Sequence, residues 1–140
     1  MNEKILIVED NSRNMRLIEM VLGSKGYTLL TATDGQEALD TATRERPDLI
    51  IMDIQLPKVS GLEVTRRLRN TPLFSHTPII AITAYAMKGD EEKAIDSGCN
   101  VYLPKPIDTR QLPRVIAEML RQQQNNNIGT NGDGKEDSYS

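Results

Sequence analysis

The chain has no tryptophan, one phenylalanine, one histidine and one cysteine in 140 residues. The single cysteine, Cys99, cannot form an intrachain disulfide, and it reads as a small buried apolar residue. One histidine beside one cysteine leaves no nitrogen–sulfur set for a zinc centre. That histidine, His76, falls in a loop ahead of Pro78 and is expected to be exposed. No apolar run approaches the length of a membrane span; the longest are Leu49 to Met52 and Ile79 to Ile82. Basic excess is missing too. Seventeen lysines and arginines against twenty acidic residues give a net charge of −3, without the footprint of a nucleic-acid binder. The first residues lead directly into a strand-like run with no signal-peptide pattern, so a cytoplasmic protein without membrane insertion is expected.

What is present is a regular alternation. Ile5 to Val8, Leu49 to Met52 and Ile79 to Ile82 are continuous apolar runs, with weaker ones at Leu29-Leu30 and Val101 to Leu103. Continuous runs suit strands buried on both faces of a parallel sheet. Helical stretches lie between them. Asn11 to Gly23 carries helical apolar spacing; Asp34 with Glu37, and Ser60 with Glu63, read as capping boxes for helices beginning at Gly35 and Gly61. Gly89 to Ser97 opens acidic and stops at Gly98. Asp108 and Gln111 start a last helix through about Arg121, where Pro113 predicts a later start or a local distortion. Five βα units imply an α/β fold, a doubly wound parallel sheet in the order 2-1-3-4-5. Ligands in such sheets sit beyond the carboxyl ends of the strands. Residues 1–121 form the folded domain. From Gln122 the composition turns to Gln, Asn, Gly and Ser, so 122–140 is expected to be a disordered polar tail.

The residues after the apolar runs carry the chemistry. Glu9 and Asp10 follow the first, Asp53 ends the third, Thr83 ends the fourth, and Lys105-Pro106 follows the fifth. The proposed strand order brings all of these ends to one patch. Two carboxylates about 5 Å apart at an effective dielectric of about 20 repel by roughly 3 kcal/mol, so protons or a cation must relieve the cluster. All-oxygen donors favour Mg²⁺. The set fits phosphoryl transfer to a carboxylate. Asp53 is the nucleophile, Asp10 and Asp53 hold Mg²⁺, and Glu9 acts through a metal-bound water. The Gln55 backbone carbonyl adds another oxygen, Lys105 pairs with the phosphoryl group, and the Thr83 hydroxyl donates to it.

Val8-Glu9-Asp10-Asn11, Met52-Asp53-Ile54-Gln55-Leu56-Pro57, Ile82-Thr83-Ala84 and Leu103-Pro104-Lys105-Pro106 together resemble the response-regulator receiver family. The match covers about residues 3–121. Thr83-Ala84-Tyr85-Ala86-Met87-Lys88-Gly89-Asp90-Glu91 resembles stand-alone receivers of the bacterial cell-division regulator type. The resemblance implies phosphoryl transfer from a histidine kinase or histidine phosphotransfer protein, a downstream protein target, and a cis Lys105–Pro106 bond. It also implies a switch in which Thr83 moves toward the phosphoryl group and the ring of Tyr102 moves inward. Gln55 and Tyr85 flank the expected path of hydrolytic water.

Other readings compete. An aspartyl phosphatase pairs its nucleophile with a second Asp two residues on, where this chain has Gln55. A flavodoxin-like electron carrier needs a Ser/Thr/Gly-rich phosphate loop after the first strand, where this chain has Glu9-Asp10. A phosphorylation-independent docking module would not need the full acidic and basic set. The first helix presents an apolar face wider than one sheet contact needs. It is either deeply packed or a docking face for a kinase helix pair, hinged on Met15 and Ile18.

Overall fold

The computed structural model describes residues 2–84 and 89–131, with side chains through residue 123. Five strands form one parallel sheet: β1 (Lys4–Val8), β2 (Thr28–Ala32), β3 (Leu49–Asp53), β4 (Ile79–Thr83) and β5 (Val101–Pro104). Their order is β2-β1-β3-β4-β5, as the alternation predicts. The helices are α1 (Ser12–Gly23), α2 (Gly35–Glu45), α3 (Gly61–Arg69), α4 (Asp90–Ser97) and α5 (Gln111–Asn131).

Side chains alternate across the sheet, and each face buries its own core. Leu6, Val8, Ile50, Met52, Ile79 and Ala81 pack under Ala38 and Ala42 of α2, Val64 and Leu68 of α3, and Ala94 of α4. Ile5, Ile7, Leu49, Ile51, Ile80 and Ile82 pack under Ile18 and Leu22 of α1 and Leu112, Ile116 and Leu120 of α5. This two-sided burial is why the strands read as unbroken apolar runs.

Local signals set most of the boundaries. Asn11 caps α1 by accepting from the Asn14 N–H at 3.0 Å, and Asp34 caps α2 by accepting from the Glu37 N–H at 2.8 Å. The return half of the predicted box is displaced: Glu37 accepts from the N–H and hydroxyl of Thr33, one residue before the cap. Ser60 caps α3 through the Glu63 N–H, while the Glu63 carboxylate turns to Arg66 and Arg67 instead of closing its box.

One expectation for α5 is met and one needs correction. The helix starts at Gln111, after a turn over residues 109–110 in which Asp108 accepts from the Arg110 and Gln111 N–H groups, a later start than an Asp108 cap alone would set and as Pro113 predicts. Pro113 falls in the first turn, where a missing N–H costs nothing because that group has no helical partner. The helix also runs through Asn131, ten residues past the expected end at Arg121, so residues 122–131 are helical where a disordered tail is predicted. Residues 132–140 lie outside the described residues. A short 3-10 turn at Pro72–Phe74, absent from the sequence reading, buries Phe74 beneath the α3–β4 connection.

Candidate functional site

The switch point between β1 and β3 puts the ends of four strands side by side. Val8 pairs with Met52, Asp53 with Ile82, and Thr83 with Pro104. Glu9, Asp53, Thr83 and Lys105 therefore meet at one rim, as the strand order predicts. Lys105 follows β5 and precedes a cis peptide bond to Pro106, as the resemblance implies.

Asp53 is 1% exposed and Glu9 is fully buried, whereas Asp10 is exposed at the start of the β1–α1 connection. One carboxylate oxygen from each of these three lies within 4.8 Å of the others. Lys105 also reaches the cluster. Its Nζ stands 3.1 Å from Asp53 Oδ2, 3.0 Å from Glu9 Oε1 and 3.3 Å from Glu9 Oε2. The contacts to Asp53 Oδ2 and Glu9 Oε2 have hydrogen-bonding geometry and the one to Glu9 Oε1 does not, which leaves Glu9 Oε1 buried with no hydrogen-bond partner. The Gln55 N–H donates to Asp53 Oδ1 at 2.9 Å and the Asn11 N–H to Glu9 Oε2 at 3.1 Å.

The electrostatics follow from burial. Loss of water, and then the neighbouring Glu9, push the Asp53 carboxyl up to about 7, against the pull of the Gln55 N–H and the Lys105 charge. Burial pulls the Lys105 ammonium down, but the hydrogen bond to Glu9 and the charges of Asp53 and Glu9 outweigh it and hold its pKa above the ordinary value. Three carboxylates thus face one ammonium. A small hard cation fits this donor set: every donor is oxygen, one of them is a buried oxygen without a hydrogen bond, and the charge is two units short of neutral.

Thr83 is buried at the end of β4, and its Oγ1 accepts a short hydrogen bond from Gln55 Nε2. The Gln55 carboxamide oxygen in turn accepts from the Ala84 N–H at 3.0 Å. This bridge between the β3 and β4 ends is a role for the Gln55 side chain that sequence reasoning missed, having assigned Gln55 its carbonyl and a place beside the path of hydrolytic water. The available signal was chemical. A carboxamide offers both a donor and an acceptor, and two residues past Asp53 it faces the neighbouring strand end. Tyr102 is half-buried on β5 and packs against the core under α4. Burial, then the Asp90 and Glu91 carboxylates at the start of α4, raise its phenol pKa. Tyr85 lies outside the described residues.

The α1 face resolves toward deep packing. Ile18 is fully buried between α1 and the sheet, so it offers no surface, which corrects its proposed part in a docking hinge. Met15 is half-buried, and the exposed apolar residue of this helix is Met20, at 72%. His76 is exposed and Cys99 is buried, both as expected.

A five-stranded parallel sheet with an acidic pocket and a lysine at its carboxyl edge defines a class. The model of the response regulator receiver domain matches residues 5–117, and the chain belongs to that family. More particularly, it is 50% identical over 120 residues to the polar-differentiation response regulator DivK of Brucella anthropi, covering 86% of this chain and 98% of that one. It is therefore a receiver of the DivK kind, working in phosphorelay signalling, and not a classical enzyme. Solved structures agree. The receiver domain of a sensor histidine kinase from Pseudomonas aeruginosa, with magnesium coordinated in its active-site cleft, superposes with a TM-score of 0.79 at 39% identity, covering 86% and 98% of the two chains. A response regulator from Chloroflexus aurantiacus superposes with a TM-score of 0.83 at 30% identity, covering 86% and 99%. Among the described residues, no helix is long and apolar enough to cross a membrane.

Proposed function

We propose that Asp53 accepts a phosphoryl group from a phosphohistidine of a histidine kinase or phosphotransfer protein, in a Mg²⁺-dependent reaction, and that the change in surface signals to a downstream protein. The observation that carries this reading is the placement of Asp53: a buried carboxylate at the strand end, with Lys105 Nζ at 3.1 Å and two further carboxylates beside it. An Asp53 oxygen forms the new bond to phosphorus while the phosphorus–nitrogen bond breaks. The imidazole leaves with the electron pair and takes up a proton as needed. Lys105, already within reach of Asp53, offsets negative charge on the phosphoryl oxygens. Asp10 and Asp53 would hold Mg²⁺ directly, Glu9 through water, and Gln55 through its backbone carbonyl. The bound ion would supply charge neutralisation for the transferring group.

The switch assigned to Thr83 and Tyr102 has matching surroundings. Thr83 sits between the Asp53 and Lys105 strand ends, and Tyr102 lies under α4, the helix that follows the Thr83 loop. Met15 is kept as a docking residue for the kinase partner; Ile18 is not.

Intact-mass measurement after incubation with acetyl phosphate tests the site. With Mg²⁺ the protein gains one phosphoryl mass; without Mg²⁺, or in Asp53→Asn, it gains none. A gain that persists in Asp53→Asn places the chemistry elsewhere. No gain in the folded wild type, from acetyl phosphate or from a phosphorylated kinase domain, favours the phosphorylation-independent docking module.

A further inference from the structure

The Gln55 side chain spans two groups that the proposed chemistry needs. Its Oε1 accepts from the Ala84 N–H at 3.0 Å, and its Nε2 donates to Thr83 Oγ1. The amide orientation is fixed by this pairing, since a backbone N–H can meet only the carboxamide oxygen, which leaves the NH₂ group toward Thr83. The same residue donates its own N–H to Asp53 Oδ1 at 2.9 Å, so the carboxamide is anchored beside the acceptor carboxylate. A phosphoryl oxygen arriving on Asp53 would be a far stronger acceptor for the Ala84 N–H than a neutral amide, and would also draw the Thr83 hydroxyl as a donor. The Ala84 N–H is already donated to Gln55, and Thr83 Oγ1 is held in place by the hydrogen bond it accepts from Gln55.

We propose that the Gln55 carboxamide is a latch: it holds Thr83 and Ala84 in the unphosphorylated arrangement and must release them before they can close on a phosphoryl group. The inference rests on the reading of Asp53 given above and adds a regulatory residue to that site. Gln55 is a positioning residue. It acts through Thr83 and Ala84, and its side chain is half-buried and unbranched, so release costs little beyond the two hydrogen bonds. A receiver that must first unlatch binds a phosphoryl mimic more weakly in proportion to its small unlatched fraction, on the order of tenfold for two neutral hydrogen bonds.

Gln55→Met keeps the length and removes both hydrogen bonds; Gln55→Asn keeps the amide but is too short to bridge. Beryllofluoride, a non-covalent mimic of a phosphoryl group on a carboxylate, is titrated at saturating Mg²⁺ into wild type, both variants and Asp53→Asn. Amide hydrogen exchange at Ala84 is followed by NMR. Both Gln55 variants are expected to bind beryllofluoride about tenfold more tightly than wild type, and their Ala84 amide to exchange faster while Ile82 in β4 stays protected. Equal or weaker beryllofluoride binding in the variants overturns the latch, as does tighter binding with Ala84 exchange unchanged. Wild type that takes up no beryllofluoride, or Asp53→Asn that takes it up equally, overturns the reading of Asp53 itself. The two failures are therefore separate.

Discussion

Asp53 is a carboxylate that its surroundings keep from ionising freely. Burial and the nearby Glu9 raise its pKa to about 7 against an ordinary 3.8, so at neutral pH a proton and a cation compete for the same oxygens. The sign follows from linkage. A group whose folded pKa lies above its unfolded pKa gives stability that is complete below the unfolded value and is lost as pH rises through the folded one. Metal-free protein should therefore be more stable near pH 5 than near pH 8, and Asp53→Asn should flatten that slope in thermal melts with chelator present. Mg²⁺ binds the ionised form, so its apparent affinity should weaken by up to about tenfold per pH unit below pH 7, as read by titration calorimetry. A Mg²⁺ affinity constant from pH 5 to 8 would contradict the assignment. At this scale the sequence was most legible where charge was concerned. Glu9, Asp10, Asp53 and Lys105 were visible because each follows an apolar run, and charges there are conspicuous. The side-chain bridge of Gln55 and the burial of Ile18 were not. An uncharged amide after a strand carries no such mark, and helical spacing alone cannot distinguish an apolar side chain facing a partner from one facing the sheet.

The elements that carry the site depend on close approach as well as on capping. Gly61 opens α3 directly against the end of β3. A Cβ at this position would stand 2.2 Å from the Asp53 carbonyl oxygen and 2.9 Å from the Ile54 Cα, and both obstacles are backbone. Gly61 also donates its N–H to the Ile54 carbonyl at 2.9 Å, which ties the helix start to the loop after Asp53. Gly61→Ala should cost about 2 kcal/mol of stability in urea unfolding, because backbone must move where side chains cannot yield. It should also slow phosphorylation of Asp53, whose own carbonyl is the group displaced. Alanine accepted with wild-type stability would show that this contact is looser than described. Most elements were legible because strands buried on both faces leave unbroken apolar runs and helix starts carry Asx or Ser caps. Pro113 was legible because it has no N–H: the helix starts at Gln111, late enough to put Pro113 in its first turn. The misreadings have physical causes. The α5 continuation through residues 122–131 is polar, and composition registers missing core contacts without registering local backbone hydrogen bonding. The 3-10 turn at Pro72–Phe74 is too short for periodicity to reveal.

At the scale of the whole molecule, the acidic cluster lies where β1 and β3 end, so a cation held there would join segments as far apart in sequence as Glu9 and Asp53. The unfolded chain scatters those residues and has no comparable site. Binding energy at the pocket is therefore folding energy, equal to RT ln(1 + [Mg²⁺]/Kd) for one site. At Mg²⁺ ten times its Kd this is about 1.4 kcal/mol, which raises the melting temperature of a domain this size by about 4 °C. The effect should be specific to the pocket and not a response of a protein of net charge −3 to any salt. Asp10 makes that distinction testable. It is exposed and lies outside the two cores, so Asp10→Ala loses no packing and relieves like-charge repulsion: the metal-free melt should stay at or rise above that of wild type, and the Mg²⁺ increment should vanish. NaCl at equal ionic strength should not reproduce the increment in wild type. If Asp10→Ala kept the full Mg²⁺ response, or if NaCl matched it, the stabilisation would be general screening and the acidic cluster would not be the metal site.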